Sequence, residues 1–320
     1  MQSGFRIAAI GELLWDLLPD GPQLGGAPAN FAAMSASLAA ISASAPDKVY
    51  LVSRVGDDAL GRQAREQMSA HRVRADFIST DPRNATGTVT VTLPMDGSPV
   101  YCIQQPAAWD AIPATPELTA LAPMLDALCF GTLAQRSTVT RRTLRRFVES
   151  TRPDCVRVFD INLRAPWWTQ EMLPWGCARA TILKMNHEEV PQLAQALGVP
   201  LRAPVEFANF VLREFPIRLI AITRGANGSL LATHEGIAEH PGIAVKVVDS
   251  IGAGDAFTAA LVHDFLRGSS LAAMNETANH WGAWVASQRG GMPQILDVLR
   301  GEWKGEPETF HFPASRLRSG

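Results

Sequence analysis

The stretch Asp249-Ser-Ile-Gly-Ala-Gly-Asp-Ala-Phe257 gathers what chemistry on a charged substrate needs. Gly252 and Gly254 carry no Cβ, so the backbone amides of residues 252–255 can turn toward one point. Phe257, Ala260, Leu261 and Phe265 follow at helical spacing, which places those amides at a helix start. A helix start has unpaired N–H groups and the positive end of the helix dipole, and both favour an anion. Asp255 then stands beside an anion hole as a general base. It would take the proton of a hydroxyl while the amides of Gly252, Ala253 and Gly254 meet an incoming phosphoryl group. A plain turn with an aspartate cap accounts for the same residues without chemistry.

Other polar residues fall where a ligand could meet them. Gly25-Gly26-Ala-Pro-Ala-Asn30 leads into an Ala-rich helix over 31–40; the glycines admit close approach, and Asn30 offers both a donor and an acceptor to sugar hydroxyls. Asp16 follows the first strand in Gly11-Glu-Leu-Leu-Trp-Asp16 and is either a ligand for vicinal hydroxyls or a surface turn acid. Asp160-Ile-Asn-Leu-Arg164 brings an acid, an amide and a guanidinium together; Arg164 is a substrate or phosphate ligand, or a salt-bridged structural arginine. Asn186-His-Glu-Glu189 reads as a hard-oxygen site for Mg²⁺ or as a reciprocal capping box. Thr223-Arg-Gly225-Ala-Asn-Gly228 is a glycine turn at the end of a strand.

The elements that must position these residues alternate. Ala127–Phe130, Val156–Asp160, Ala180–Lys184 and Arg218–Thr223 read as strands, separated by helices near 138–152, 187–197 and 204–214. That rhythm predicts an α/β fold: a doubly wound, mostly parallel sheet with helices on both faces. Ligand groups then collect at the carboxyl ends of its strands, where Asp160, Asn186 and Thr223 fall. Residues 86–105 alternate Val and Thr around a turn at Met95–Ser98, the pattern of a β-hairpin. With strands from residues 12–30, the segment 86–112 forms either a small β lid inserted in a single α/β domain spanning 1–320 or an edge hairpin of the main sheet.

Taken in order, these motifs resemble the ribokinase-like (PfkB) carbohydrate kinases from Gly11 to Gly291. The Asp-Ser-x-Gly-Ala-Gly-Asp-x-Phe segment resembles the second signature of the family, and Gly25–Asn30 its first. The resemblance implies Asp16 and Asn30 on the sugar, Asn186 and Glu189 toward Mg²⁺, the loop Thr223–Gly228 on the nucleotide phosphates, and Asn279 beside the adenine. It further implies a monovalent cation, K⁺, near Asp249 and Ile251 with the Gly290-Gly-Met-Pro293 turn. Asp160-Ile-Asn-Leu-Arg164 followed by Pro166 and Trp167, together with Pro106-Ala-Ala-Trp-Asp110, is similar to the fructokinase-like branch, although Ile161 stands where that branch has proline. The expectation is an ATP- and Mg²⁺-dependent kinase for fructose. Ribose, 2-keto-3-deoxygluconate or a nucleoside is the alternative, as is a kinase-like protein that binds sugar without turnover.

Composition agrees with such an enzyme. The net charge of −2, from 29 basic and 31 acidic residues, argues against nucleic-acid partners or an anionic membrane. Arg141, Arg142, Arg145 and Arg146 fall at helical spacing, as a solvated helix face. Four scattered cysteines without Cys-x-x-Cys spacing predict free thiols in a reducing cytoplasm, and neither a signal peptide nor an apolar span is expected. There is no Gly-x-x-x-x-Gly-Lys-Ser/Thr loop and no Gly-x-Gly-x-x-Gly after the first strand, which counts against Walker-type ATPases and dinucleotide oxidoreductases. The lid hairpin is a surface through which a homodimer could pair.

Overall fold

The computed structural model describes residues 4–19, 21–41, 47–92, 100–200 and 203–294. In chain order its strands are β1 (Arg6–Ile10), β2 (Leu14–Leu18), β3 (Gly21–Gly25), β4 (Lys48–Gly56), β5 (Ile78–Asp81), β6 (Gly87–Thr92) and β7 (Val100–Ile103). Then follow β8 (Ala127–Phe130), β9 (Val156–Asp160), β10 (Ile182–Asn186), β11 (Leu219–Thr223), β12 (Ser229–Thr233) and β13 (Gly236–His240). Nine of them form one sheet in the order β13-β12-β11-β10-β9-β8-β1-β4-β5. Its seven strands from β11 to β5 run parallel, and β12 and β13 return antiparallel at one edge.

A strand buried on both faces sends alternate side chains into different layers. Ile7 and Ala9 pack on one side with the helices Ala27–Ile41, Ala253–Leu266 and Leu271–Ala286. Ala8 and Ile10 pack on the other with Thr138–Glu149, Met172–Cys177, Val190–Ala196 and Pro204–Glu214. The sheet is therefore covered on both faces, as the alternation of elements predicts.

A second, four-stranded sheet has the order β3-β2-β6-β7, so these four strands meet in it rather than at the edge of the main sheet. The expected turn Met95–Ser98 lies outside the described residues. The sheet is anchored beyond its strands: the Gln104 carbonyl accepts from Arg136, whose guanidinium is paired with Asp110 at 2.8 Å and held over the rings of Trp109 and Trp167.

Several bounds shift. The first long helix begins at Ala27 and not at 31, so Asn30 lies in its first turn. β10 starts two residues later than expected, and the helix after it begins at Val190 because residues 187–189 form a turn. The arginines of Thr138–Glu149 have local roles: Arg141 pairs with Glu171 and Arg145 lies over the Trp175 ring. Cys129, Cys155 and Cys177 are buried and Cys102 is exposed, all as free thiols. Among the described residues no helix is long and apolar enough to cross a membrane.

Candidate active site

Asp160, Asn186 and Thr223 are the last residues of β9, β10 and β11, at the carboxyl edge where the helix Ala253–Leu266 also begins. Gly252 caps that helix with φ of 76°, a left-handed conformation that costs a side-chain-bearing residue. A Cβ there would stand 2.5 Å from the Cα of Gly291, so glycine also lets the 290–291 turn pack against the helix start. The Ala253 amide, expected in the anion hole, instead donates to the Ser250 carbonyl at 3.3 Å. Helix geometry leaves the amides of Gly254 and Asp255 without an intrahelical acceptor, so these two remain able to meet an anion.

Asp255 is 8% exposed. Its carboxylate accepts from the Asn30 side-chain amide at 2.8 Å. Burial lifts its pKa to about 6, helped by the charge of Asp160 and opposed by Lys184, the Asn30 hydrogen bond and Arg164. A carboxylate so tuned is mostly ionised near neutrality yet more basic than an ordinary aspartate, which suits a general base.

Two cavities meet at this helix start. One, about 510 Å³, is lined by Glu12, Asp16, Gly26, Asn30, Arg164 and Asp255 among others. The other, about 610 Å³, is lined by Thr223, Gly225, Gly228 and Asn279 with the 241–247 loop. Ser250 and Gly254 belong to both and form the wall between them.

In the first cavity Asp16 is half-buried, with its pKa pushed to about 6 by burial and by the charge of Asp249. Gly25 makes room for it, since a Cβ there would lie 2.7 Å from the Asp16 carboxylate. Arg164 is exposed, donates to the Leu163 carbonyl at 3.1 Å and forms no ion pair with a carboxylate among the described residues. Glu12, which the sequence reading passed over, is buried, and desolvation raises it to about 7. A carboxylate directly after an apolar strand was the signal that marks it.

In the second cavity Gly228 has φ of 76°, and a Cβ on it would stand 2.0 Å from the His240 carbonyl. The loop 225–228 is thereby pressed against 240–242. Asn279 is 8% exposed and donates to Ser229 Oγ at 2.7 Å, so its amide braces the cavity floor.

Asn186 and Glu189 line neither cavity. They form the reciprocal capping box: the Asn186 N–H donates to Glu189 Oε2 at 2.8 Å, and the Glu189 N–H to Asn186 Oδ1 at 3.0 Å. Glu189 Oε1 also accepts from the Leu163 N–H. Among the described residues no group of three or more His, Cys, Asp or Glu could cage a metal. This donor set fits an Mg²⁺ carried by nucleotide phosphates and reached through water, not one held by a protein cage. Asp249 accepts from the Ile251 and Gly290 amides at 2.9 and 3.1 Å, tying together the two loops of the expected cation site.

The model of the pfkB family of carbohydrate kinases matches residues 22–297. The chain belongs to that family. An uncharacterised sugar kinase of Pyrococcus horikoshii is 29% identical to this kinase over 303 residues, 89% of this chain and 91% of that one, and its crystal structure superposes with a TM-score of 0.75. The aminoimidazole riboside kinase of Salmonella typhimurium is 26% identical over 92% of this chain and 93% of its own. A fructokinase of Vibrio cholerae, solved with fructose, ADP and calcium, is 26% identical over 92% of this chain and 96% of its own, with a TM-score of 0.75. This pfkB kinase thus has relatives bearing more than one sugar in their names.

Proposed function

We propose that this sugar kinase transfers the γ-phosphoryl group of ATP to a primary hydroxyl, with D-fructose giving fructose 6-phosphate as the first choice. The observation that carries the reading is that Asp255 lines the first cavity directly beside Gly254, which lines both cavities and stands in the wall between them. In it the sugar sits among Asp16, Asn30 and Arg164, and the nucleotide lies along Thr223–Gly228 and beside Asn279. Asp255 takes the hydroxyl proton, and the amides of Gly254 and Asp255 hold charge that develops on the phosphoryl group. Mg²⁺ bound with the nucleotide would neutralise phosphate oxygens, and Glu189 would be the side chain to hold it, directly or through water. K⁺ between the loops of Asp249 and Gly290 belongs to the same reading, as do a cytoplasmic location, one kinase domain over 1–320, the small sheet as a lid, and pairing of two copies through it.

The residues behind the fructokinase-like resemblance do not all face sugar. Trp109, Asp110 and Trp167 enclose Arg136, a structural task that any sugar kinase of this shape could use. Fructose therefore rests on the Asp16, Asn30 and Arg164 side of the cavity. Coupled ADP release with a panel of fructose, ribose, 2-keto-3-deoxygluconate and nucleosides tests it; fructose should give the highest kcat/KM, and a clear preference for ribose or the acid sugar replaces it. Sugar binding by calorimetry without any ADP release would point to a non-catalytic binder instead.

A further inference from the structure

The sugar-side cavity also receives an ammonium group that the reading above leaves without a task. Lys184 lies on β10, a strand whose neighbours Ile182, Leu183 and Met185 are all fully buried, and it is itself only 6% exposed. A lysine inside a strand covered on both faces needs a partner or a purpose. It shares the face of Ile182, which packs under the helix Ala253–Leu266. Its register partner on β9 is Asp160, and Nζ lies 3.1 Å from that carboxylate.

Asp160 does not exhaust the three N–H donors of the ammonium. On its other side stands the anion hole: a Cβ built on Gly254 would lie 3.1 Å from Nζ, so the glycine is what lets the ammonium reach the helix start. Lys184 lines the sugar-side cavity together with Gly252, Gly254 and Asp255 and does not line the nucleotide side. Burial disfavours its charge, but Asp160, Asp255 and Glu189 outweigh that and raise its pKa, which favours the ammonium form. The same cavity holds Glu12, Asp16 and Asp255, and against these acids Lys184 is its one buried cation among the described residues, Arg164 being exposed. A phosphoryl group arriving here meets repulsion that a single ammonium at the wall would offset.

We propose that Lys184 is a catalytic residue that contacts the transferring phosphoryl group on the acceptor side of the Gly254 amide. The inference rests on the kinase reading above and adds a group to it. As the sugar oxygen bonds to the γ-phosphorus, the bond from that phosphorus to ADP breaks and its electron pair leaves with ADP. The hydroxyl proton passes to Asp255. Lys184 gives up no proton; it balances the negative charge moving to the sugar side.

The competing role is that of a mere counter-ion for Asp160, and two variants separate the roles. Lys184→Met removes the cation, and Lys184→Met/Asp160→Asn removes both charges, so that no lone charge is buried even if the single variant folds poorly. With the sugar that the wild type phosphorylates best in the panel, both variants should lose about 10²-fold or more in kcat while the KM for that sugar stays within a few-fold. Calorimetry should show weakened binding of the phosphorylated product collected from the wild-type reaction, with binding of the free sugar retained. Turnover restored in the double variant makes Lys184 only a counter-ion and overturns the proposal, as does unchanged turnover in the single variant. A wild type that phosphorylates no sugar overturns the kinase reading and this role with it.

Discussion

The side-chain amide of Asn30 donates to the carboxylate of Asp255 at 2.8 Å across 225 residues of chain. The bond joins the first turn of Ala27–Ile41 to the first turn of Ala253–Leu266, two helices packed on the same face of the sheet. It fixes one carboxylate oxygen of Asp255. Asn30 Oδ1 is buried with no protein acceptor role filled, and Asn30 lines the sugar-side cavity. In the proposed reaction one amide would hold the base by its nitrogen and leave its oxygen for a sugar hydroxyl.

Asp255→Asn keeps the shape and the Asn30 contact but removes the basic oxygen. Turnover should fall by at least about 10²-fold, with sugar affinity within a few-fold of wild type by calorimetry. A variant with near wild-type turnover would show that another group takes the proton.

The pH profile follows from the same carboxylate. The ionised form is the reactive one, so kcat/KM should be level above about pH 7 and fall roughly tenfold per unit below the Asp255 midpoint near 6. The groups that bear on that midpoint are Asp160 and Lys184 from the sheet, Asn30 from the neighbouring helix, and Arg164 from the loop after β9. A profile still rising at pH 8, or flat down to pH 5, would place the base elsewhere.

Glu12 offers a stability test. Its folded-state pKa is raised by burial to about 7 from an ordinary value of 4.5. Stabilisation from proton uptake is therefore full below about 4.5 and lost as the pH rises through about 7. The thermal midpoint of the wild type should drop as pH increases across that window. Glu12→Gln, neutral throughout, should flatten the drop; an equal slope in the variant assigns the effect to other carboxylates.

Asp16→Asn weakens a charged acceptor on the sugar side only. The KM for sugar should rise by about 10-fold or more while the KM for ATP is unchanged, on the scale of one charge-assisted hydrogen bond. Steady-state kinetics with each substrate varied in turn decides it, and a shift in both constants would indicate a general disturbance.

Gly228→Ala acts on the other cavity. The left-handed backbone and the His240 carbonyl leave no room for a methyl group, so the 240–242 loop must move, at a cost of about 1–3 kcal/mol. The KM for ATP should rise with sugar binding intact, and an unaffected ATP constant would remove this turn from the nucleotide site.

Much of this site could be read from local sequence because its parts are local. A glycine pair before an apolar helical stripe marks a helix start from local sequence, so the Gly252–Asp255 segment declares itself as one. Strands ending at Asp160 and Thr223 followed from apolar runs closed by polar residues. Asn186 and Glu189 remained ambiguous in sequence because a capping box and a metal pair share the same spacing; the folded chain makes the box, with both Glu189 oxygens on backbone amides. The Ala253 amide, expected in the anion hole, donates to the Ser250 carbonyl, since the turn before a helix decides where its first amide points.

Sequence alone determined the classes of residue at the carboxyl edge, the two-faced sheet and the glycine-flanked helix start, because each depends on residues within one turn or one strand. Tertiary structure decided which of them meet: Asn30 with Asp255, Lys184 with Asp160, and Trp109 and Trp167 around Arg136 instead of a sugar. Those pairings depend on strand order and register, and a one-residue shift of β10 would turn Lys184 to the opposite face. The raised pKa values of Glu12 and Asp255 arise the same way, from burial that no single segment supplies.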